Sequence, residues 1–158
     1  RLISAEDMVK QASEFAGTVP VRHLLPYWKT SNRYLFSGGS VNMRDAAVYA
    51  KEENWSKAVE LWKQTYETKK GKQKMYAAYN TALGYEMQDS IDTALEWALK
   101  AQTLAREKSK TDKKETGEIH NGTISYYIFI SMYVDELEKR KEGMARLNMQ
   151  MNRFDDDF

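Results

Sequence analysis

Two stretches decide the fold: Tyr49-Ala50-Lys51-Glu52-Glu53-Asn54-Trp55-Ser56-Lys57-Ala58-Val59-Glu60-Leu61-Trp62 and Tyr85-Glu86-Met87-Gln88-Asp89-Ser90-Ile91-Asp92-Thr93-Ala94-Leu95-Glu96-Trp97-Ala98. Laid over each other at an offset of 36 residues, Tyr49 meets Tyr85, Trp55 meets Ile91, Ala58 meets Ala94 and Glu60 meets Glu96. Each copy reads as the end of one helix, a tight polar turn and the start of a second helix. Ala46 and Ala82 in the first helices, with Ala58 and Ala94 in the second, let paired backbones approach closely, and Tyr49/Tyr85 and Trp55/Ile91 fill the space around them.

Outward from this repeat the rest is helix-permissive. Proline occurs only at Pro20 and Pro26, so nothing from Tyr27 to Phe158 forbids a helix. A first helix is marked by Ser4 and Asp7 as a capping pair, the apolar face Ala5, Met8, Val9, Ala12, Phe15 and Ala16, and Gly17 as its stop. Thr18 to Val41 shows no clean period, and its Tyr27, Trp28, Tyr34, Leu35 and Phe36 predict an irregular aromatic-rich connector packed on the helices. Asp112 and Glu115 predict the start of one long helix that runs to about Gln150, with Gly117, Gly122 and Gly143 as weak points. Pairs Asp135–Lys139, Glu136–Arg140 and Glu142–Arg146 support it at i,i+4. The expectation is an all-α fold: residues 1–41 as N-terminal helix and connector, 42–110 as two helical hairpins, and 111–158 as a long C-terminal capping helix with an acidic tail.

The spacing of small and aromatic residues resembles the tetratricopeptide repeat (TPR), a helix-turn-helix unit of about 34 residues. The resemblance covers roughly Gly39–Lys72 and Met75–Lys108; each copy has a small residue at the eighth position, Tyr at the eleventh and Ala at the twentieth, but the terminal Pro is absent from both. The order Leu24-Leu25-Pro26-Tyr27-Trp28, Arg33-Tyr34, Met43-Arg44-Asp45-Ala46-Ala47, Asn54-Trp55-Ser56-Lys57-Ala58, Ala94-Leu95-Glu96-Trp97-Ala98 and Glu136-Leu137-Glu138-Lys139-Arg140 is similar to the C-terminal part of a TPR-like lipoprotein family of Gram-negative gut bacteria. That similarity implies a cell-envelope setting, a lipid anchor and an N-terminal domain outside this chain, and no established activity. The opening at Arg1 rather than Met is read as a processed or partial chain.

Composition narrows the function classes. The 158 residues are 42% hydrophobic, enough for one domain with a core. With 24 Lys+Arg against 23 Asp+Glu the net charge is +1, which excludes the basic footprint of a dedicated nucleic-acid binder. Cys is 0, so disulfides, Cys-based zinc sites and thiol nucleophiles are excluded. The most apolar run, Ile124–Val134, is far shorter than the roughly 20 residues a membrane span needs. His23 and His120 sit in no metal-ligand spacing, Ser37-Gly38-Gly39-Ser40 lacks the Lys of a phosphate loop, and Asp155-Asp156-Asp157 lacks the Gly and distal Glu of a calcium loop. No catalytic, metal or cofactor residues are assigned, and no enzymatic activity is expected; Asn54-Trp55-Ser56 is read as the repeat turn.

Three surfaces remain. TPR groove positions of the second repeat fall on Tyr76, Tyr79, Asn80, Leu83 and Met87, a set suited to an adaptable protein or peptide partner; the alternative is that the connector or the last helix already fills that groove. Asn80 stands where chaperone-tail clamps carry an Asn, but Met43 and Ala47 replace the Lys and Asn such clamps need. Lys69, Lys70, Lys72 and Lys74, with Lys108, Lys110, Lys113 and Lys114, predict a basic edge for acidic lipid or an acidic partner, against the alternative of solvated connectors. Ile130, Leu137, Met144 and Met151, with Leu147 and Phe154, recur every seven residues and predict either a seam for a homodimer or partner, or packing on the first helix. The expected function is a non-enzymatic protein-interaction or scaffold module; the alternative is an accessory or ligand-binding domain of a larger protein.

Overall fold

The computed structural model describes residues 24–28, 32–116 and 121–156; the expected helix from Ser4 to Gly17, with His23 and His120, lies outside them. The fold is all-α, with one two-stranded antiparallel hairpin: β1 (Leu24–Trp28), β2 (Asn32–Phe36), then α1 (Val41–Lys51), α2 (Trp55–Thr68), α3 (Lys72–Met87), α4 (Ile91–Thr116) and α5 (Asn121–Asp156). Each helix packs on the next in sequence, and β2 lies against α3.

The turns between paired helices repeat at the predicted offset. Asn54 N donates to Tyr49 O at 2.9 Å and Ser90 N donates to Tyr85 O at 2.9 Å. Glu53 and Asp89, also 36 residues apart, both hold left-handed backbone, with φ of 58° and 62°. Asn54 caps α2 through its side chain, which accepts from Lys57 N, and Ser40 caps α1 through Met43 N. Ala46, Ala82, Ala58 and Ala94 are all fully buried, so the small residues lie at the helix contacts. Gly84 goes further than Ala would allow: a Cβ there would stand 2.4 Å from Val59 Cγ2 and 3.2 Å from Trp62 Cζ3. The glycine sets how closely α2 and α3 approach.

Two expectations are corrected. The connector contains regular structure: Leu24 pairs with Phe36, Pro26 with Tyr34 and Trp28 with Asn32. No period of two was visible because Arg33, Tyr34, Leu35 and Phe36 are all buried, so both faces of β2 are covered. Pro26 fits a two-stranded hairpin, where a missing N–H is tolerated on an edge. The second correction concerns Asp112 and Glu115, which lie inside α4 rather than opening a new helix. A run rich in Ala, Lys and Glu with no Gly or Pro from Ile91 to Thr116 propagates α4 through the expected boundary at 110/111. The last helix then starts at Asn121 and extends to Asp156.

Candidate functional site

α3 carries the groove residues, and the structure places them in the core. Tyr76, Tyr79, Asn80 and Leu83 are buried and Met87 is half-buried. Of the two readings weighed from sequence, an open face and one filled by the chain itself, the described residues show the filled one. The filling comes from both sources weighed from sequence, β2 and α5. Phe36 stacks on Tyr76 with ring centroids 4.2 Å apart and meets Tyr79 and Phe129 edge-on at 5.2 and 6.0 Å. Tyr126, Phe129 and Tyr133 from α5 close the other side, with Tyr76 Oη donating to Tyr126 Oη at 2.6 Å.

Asn80 makes the polar contact that positions the strand. Phe36 N donates to Asn80 Oδ1 at 2.9 Å, and Asn80 Nδ2 donates to Phe36 O at 2.7 Å. The carboxamide thus satisfies both backbone groups of one residue, as a neighbouring strand would. The groove holds an extended segment, and that segment belongs to the same chain.

A second polar centre was not read from the sequence. Glu86, near the end of α3, is 1% exposed and accepts four hydrogen bonds. Arg33 of β2 donates through Nε at 2.7 Å and Nη2 at 2.9 Å, Tyr133 Oη donates at 3.0 Å and Arg140 Nη1 donates at 3.0 Å. Arg140 reaches on to Asp89 at 2.9 Å, and Lys141 pairs with Asp92 at 2.9 Å. One carboxylate therefore ties β2 and α5 to α3. Burial alone would push the Glu86 carboxyl up, but the hydrogen bonds and charge of Arg33, with Arg140 and Tyr133, hold it below the usual carboxylate range. Burial, reinforced by Glu86 and Tyr79, pushes the Tyr133 phenol well up, so it stays a hydrogen-bond donor at neutral pH. With four donors on it, the carboxylate acts as a latch between these elements. Its signal in the sequence was Arg33, a charge set in the aromatic run Tyr27–Phe36. Arg140, expected to pair with Glu136 on its own helix, instead serves the buried carboxylate.

The basic candidates separate. Lys69 and Lys70 are exposed at the α2–α3 turn. Lys72 and Lys74 diverge around α3: Lys72 Nζ lies 5.7 Å from the Tyr126 ring and Lys74 Nζ lies 4.6 Å from the Tyr66 ring. Two positions apart on a helix is about 200° of rotation, so these four do not make one edge. Lys108 and Lys110 lie on α4 rather than in a connector, and Lys110 pairs with Glu107 at 3.3 Å. The seven-residue stripe also divides. Ile130 and Leu137 are core, whereas Met144, Leu147 and Met151 are 40%, 56% and 57% exposed.

An open cleft of about 820 Å³ with a mainly apolar lining surface runs along α2, bounded by Asn42, Lys63, Gln64, Glu67, Tyr85 and Gln88 among others. Among the described residues no group of three His, Asp or Glu side chains is arranged to hold a metal ion, and no helix is long and apolar enough to cross a membrane.

Comparison with known proteins returns families rather than named relatives. No curated protein and no solved structure matches the chain. Residues 1–36 match a family described as a domain of unknown function, DUF8603. That match ends with β2, and a second begins inside α1, covering both helical hairpins and α5 as far as Lys139. Through this second match, over residues 44–139, the chain belongs to the family described as domain of unknown function DUF6340.

Proposed function

We propose that this protein is a non-enzymatic interaction or scaffold module of TPR-like build, part of a bacterial cell-envelope lipoprotein, that engages its partner by its outer surface rather than by its groove. The observation that carries the reading is the outer part of α5. Beyond Arg140 the helix continues for four turns with Met144, Leu147 and Met151 exposed at three- and four-residue spacing. An apolar stripe of that kind is covered when a second helix lies on it, and the flanking Lys, Arg and Glu residues suit a helix-on-helix seam. The groove offers no comparable surface, because Phe36 and the α5 rings occupy it. The stripe is matched to a second copy of the chain or to a partner helix.

Light scattering tests the reading. The intact chain is expected to associate as its concentration rises, and truncation after Arg140 or Leu147→Asp to abolish association with little change in melting temperature. A strict monomer at high concentration that also binds no amphipathic helix would contradict it.

The alternative, an accessory or ligand-binding domain of a larger protein, is supported by the cleft along α2. Its mainly apolar lining, with amide and hydroxyl groups from Asn42, Gln64, Tyr85 and Gln88, would suit a ligand that is apolar with a few polar groups, and Gln64→Ala would weaken its binding.

A further inference from the structure

We propose that the outer part of α5 binds the same part of a second copy of this chain, the two helices antiparallel about a two-fold axis at Asn148, with the Lys141 position of each copy opposite the Asp155 position of the other. This pairing rests on the α5 seam proposed above and fixes both its occupant and its direction.

The direction follows from where the helical body of the molecule stops. Ile130, Leu137, Met144 and Met151 lie seven residues apart on one line of α5. Ile130 and Leu137 are core, so along this line the molecule's own helices cover α5 as far as Leu137. Arg140, close to the same line, is tied back to Glu86 and Asp89. Beyond it Met144, Leu147 and Met151 are exposed. A second helix laid on these three residues meets the body at the root of the stripe. In a parallel pair both bodies would stand at the same end, on the facing sides of the two helices, and would compete for one space. In an antiparallel pair each body stands beyond the tip of the other helix, and only the stripe is covered.

The occupant follows from the flank of the stripe. Lys141, Asn148 and Asp155 also recur every seven residues, each three or four positions from Met144 or Met151, so they line one edge of it. The row reads cation, amide, anion. Turned end for end about Asn148 it complements itself, as the interface of a two-fold dimer must. A second copy carries the matching row by symmetry, whereas a foreign helix would have to match it independently. Lys141 also pairs with Asp92 at 2.9 Å, but both groups are exposed and an ammonium has three donors, so a second carboxylate can share it. Near the C-terminal end of α5 the helix dipole disfavours a negative charge such as that of Asp155, and an ammonium brought there offsets the cost. Gly143, on the other flank, has open space beside it and no side chain to hold a second helix off. The seam is about two heptads long, which makes a weak and reversible dimer.

Sedimentation equilibrium of the intact chain tests the pairing through charge reversal. The wild type is expected to form dimers as its concentration rises, less readily in high salt. Lys141→Asp alone, or Asp155→Lys alone, sets like charges opposite each other at both ends of the seam. Each should raise the dimer dissociation constant on the order of tenfold. An equimolar mixture of the two variants should recover dimers, and so should the variant carrying both changes, because every facing pair is again of opposite sign. A parallel pair does not bring positions 141 and 155 together and would show no such recovery. Should Lys141→Asp melt early through loss of its pair with Asp92, Asp155→Lys carries the test, with Asp155→Glu expected to keep the dimer. Association that neither reversal weakens, or that the mixture does not recover, overturns the antiparallel pairing; the α5 seam itself then stands if Leu147→Asp still abolishes association. A strict monomer at high concentration overturns the pairing outright, and the seam reading survives it only if a synthetic amphipathic helix binds to α5.

Discussion

At the scale of single residues, two fully buried side chains, Trp62 and Glu86, should respond differently to substitution. Trp62 is 0% exposed, and its indole N–H has no acceptor among the described residues. Trp62→Ala should therefore lower stability by about 3–5 kcal/mol, whereas Trp62→Phe, which removes the unpaired donor and keeps a ring, should cost much less. Trp55 is only half-buried, and its replacement by Ala should cost less than that of Trp62. Chemical denaturation of the three variants checks the order. Glu86→Gln removes the buried charge that Arg33 and Arg140 share, and should cost about 3–5 kcal/mol. The pH dependence follows from the same group. Its folded pKa lies below the ordinary 4.5, so the unfolded chain binds the proton more readily. Its stabilisation is complete above about pH 4.5 and is lost as pH falls toward the lowered folded value. The wild type should lose stability on acidification through that window, and Glu86→Gln should lose less. Equal acid sensitivity in the two would assign the effect to other carboxylates.

At the scale of elements, the helical hairpins were legible and the β-hairpin was not. The 36-residue offset, the buried alanines and the Asn54 turn follow from sequence period because each makes a local, repeated demand on the backbone. β2 escaped because its residues are buried on both faces, which erases alternation; the usable signals were Pro26, the aromatic enrichment and the polar Lys29-Thr30-Ser31 between two apolar runs. Gly84 was equally readable as a glycine inside a helical pattern, a sign of close backbone approach. Gly84→Ala puts a methyl group against Val59 and Trp62 and should destabilise by about 1–3 kcal/mol, despite alanine's better helix propensity. A rise in melting temperature would mean that α2 and α3 have room to separate. Asn80→Ala should loosen β2 while leaving the helices formed, because it leaves both backbone groups of Phe36 without their partner. Near-ultraviolet circular dichroism should change more than far-ultraviolet.

At the scale of the whole molecule, Tyr76, Tyr79 and Asn80 of the five groove positions meet at Phe36, but that occupant is a long-range property. Tyr76, Tyr79, Asn80 and Leu83 look the same in sequence whether a foreign peptide or residue 36 lies on them. The contacts that decide it span 44 residues to Phe36 and 50 to Tyr126. No period or motif reports such separations. With the groove closed from within, the interaction proposed for this chain falls to the exposed stripe of α5. Amide hydrogen exchange at Phe36 tests the closed groove most directly. The account predicts exchange as slow as that of the α3 core around Ala78 and Ala82, since Phe36 N–H is buried and bonded to Asn80. Fast exchange at Phe36 beside a slowly exchanging α3 would contradict it, because the groove would then stand open to a partner.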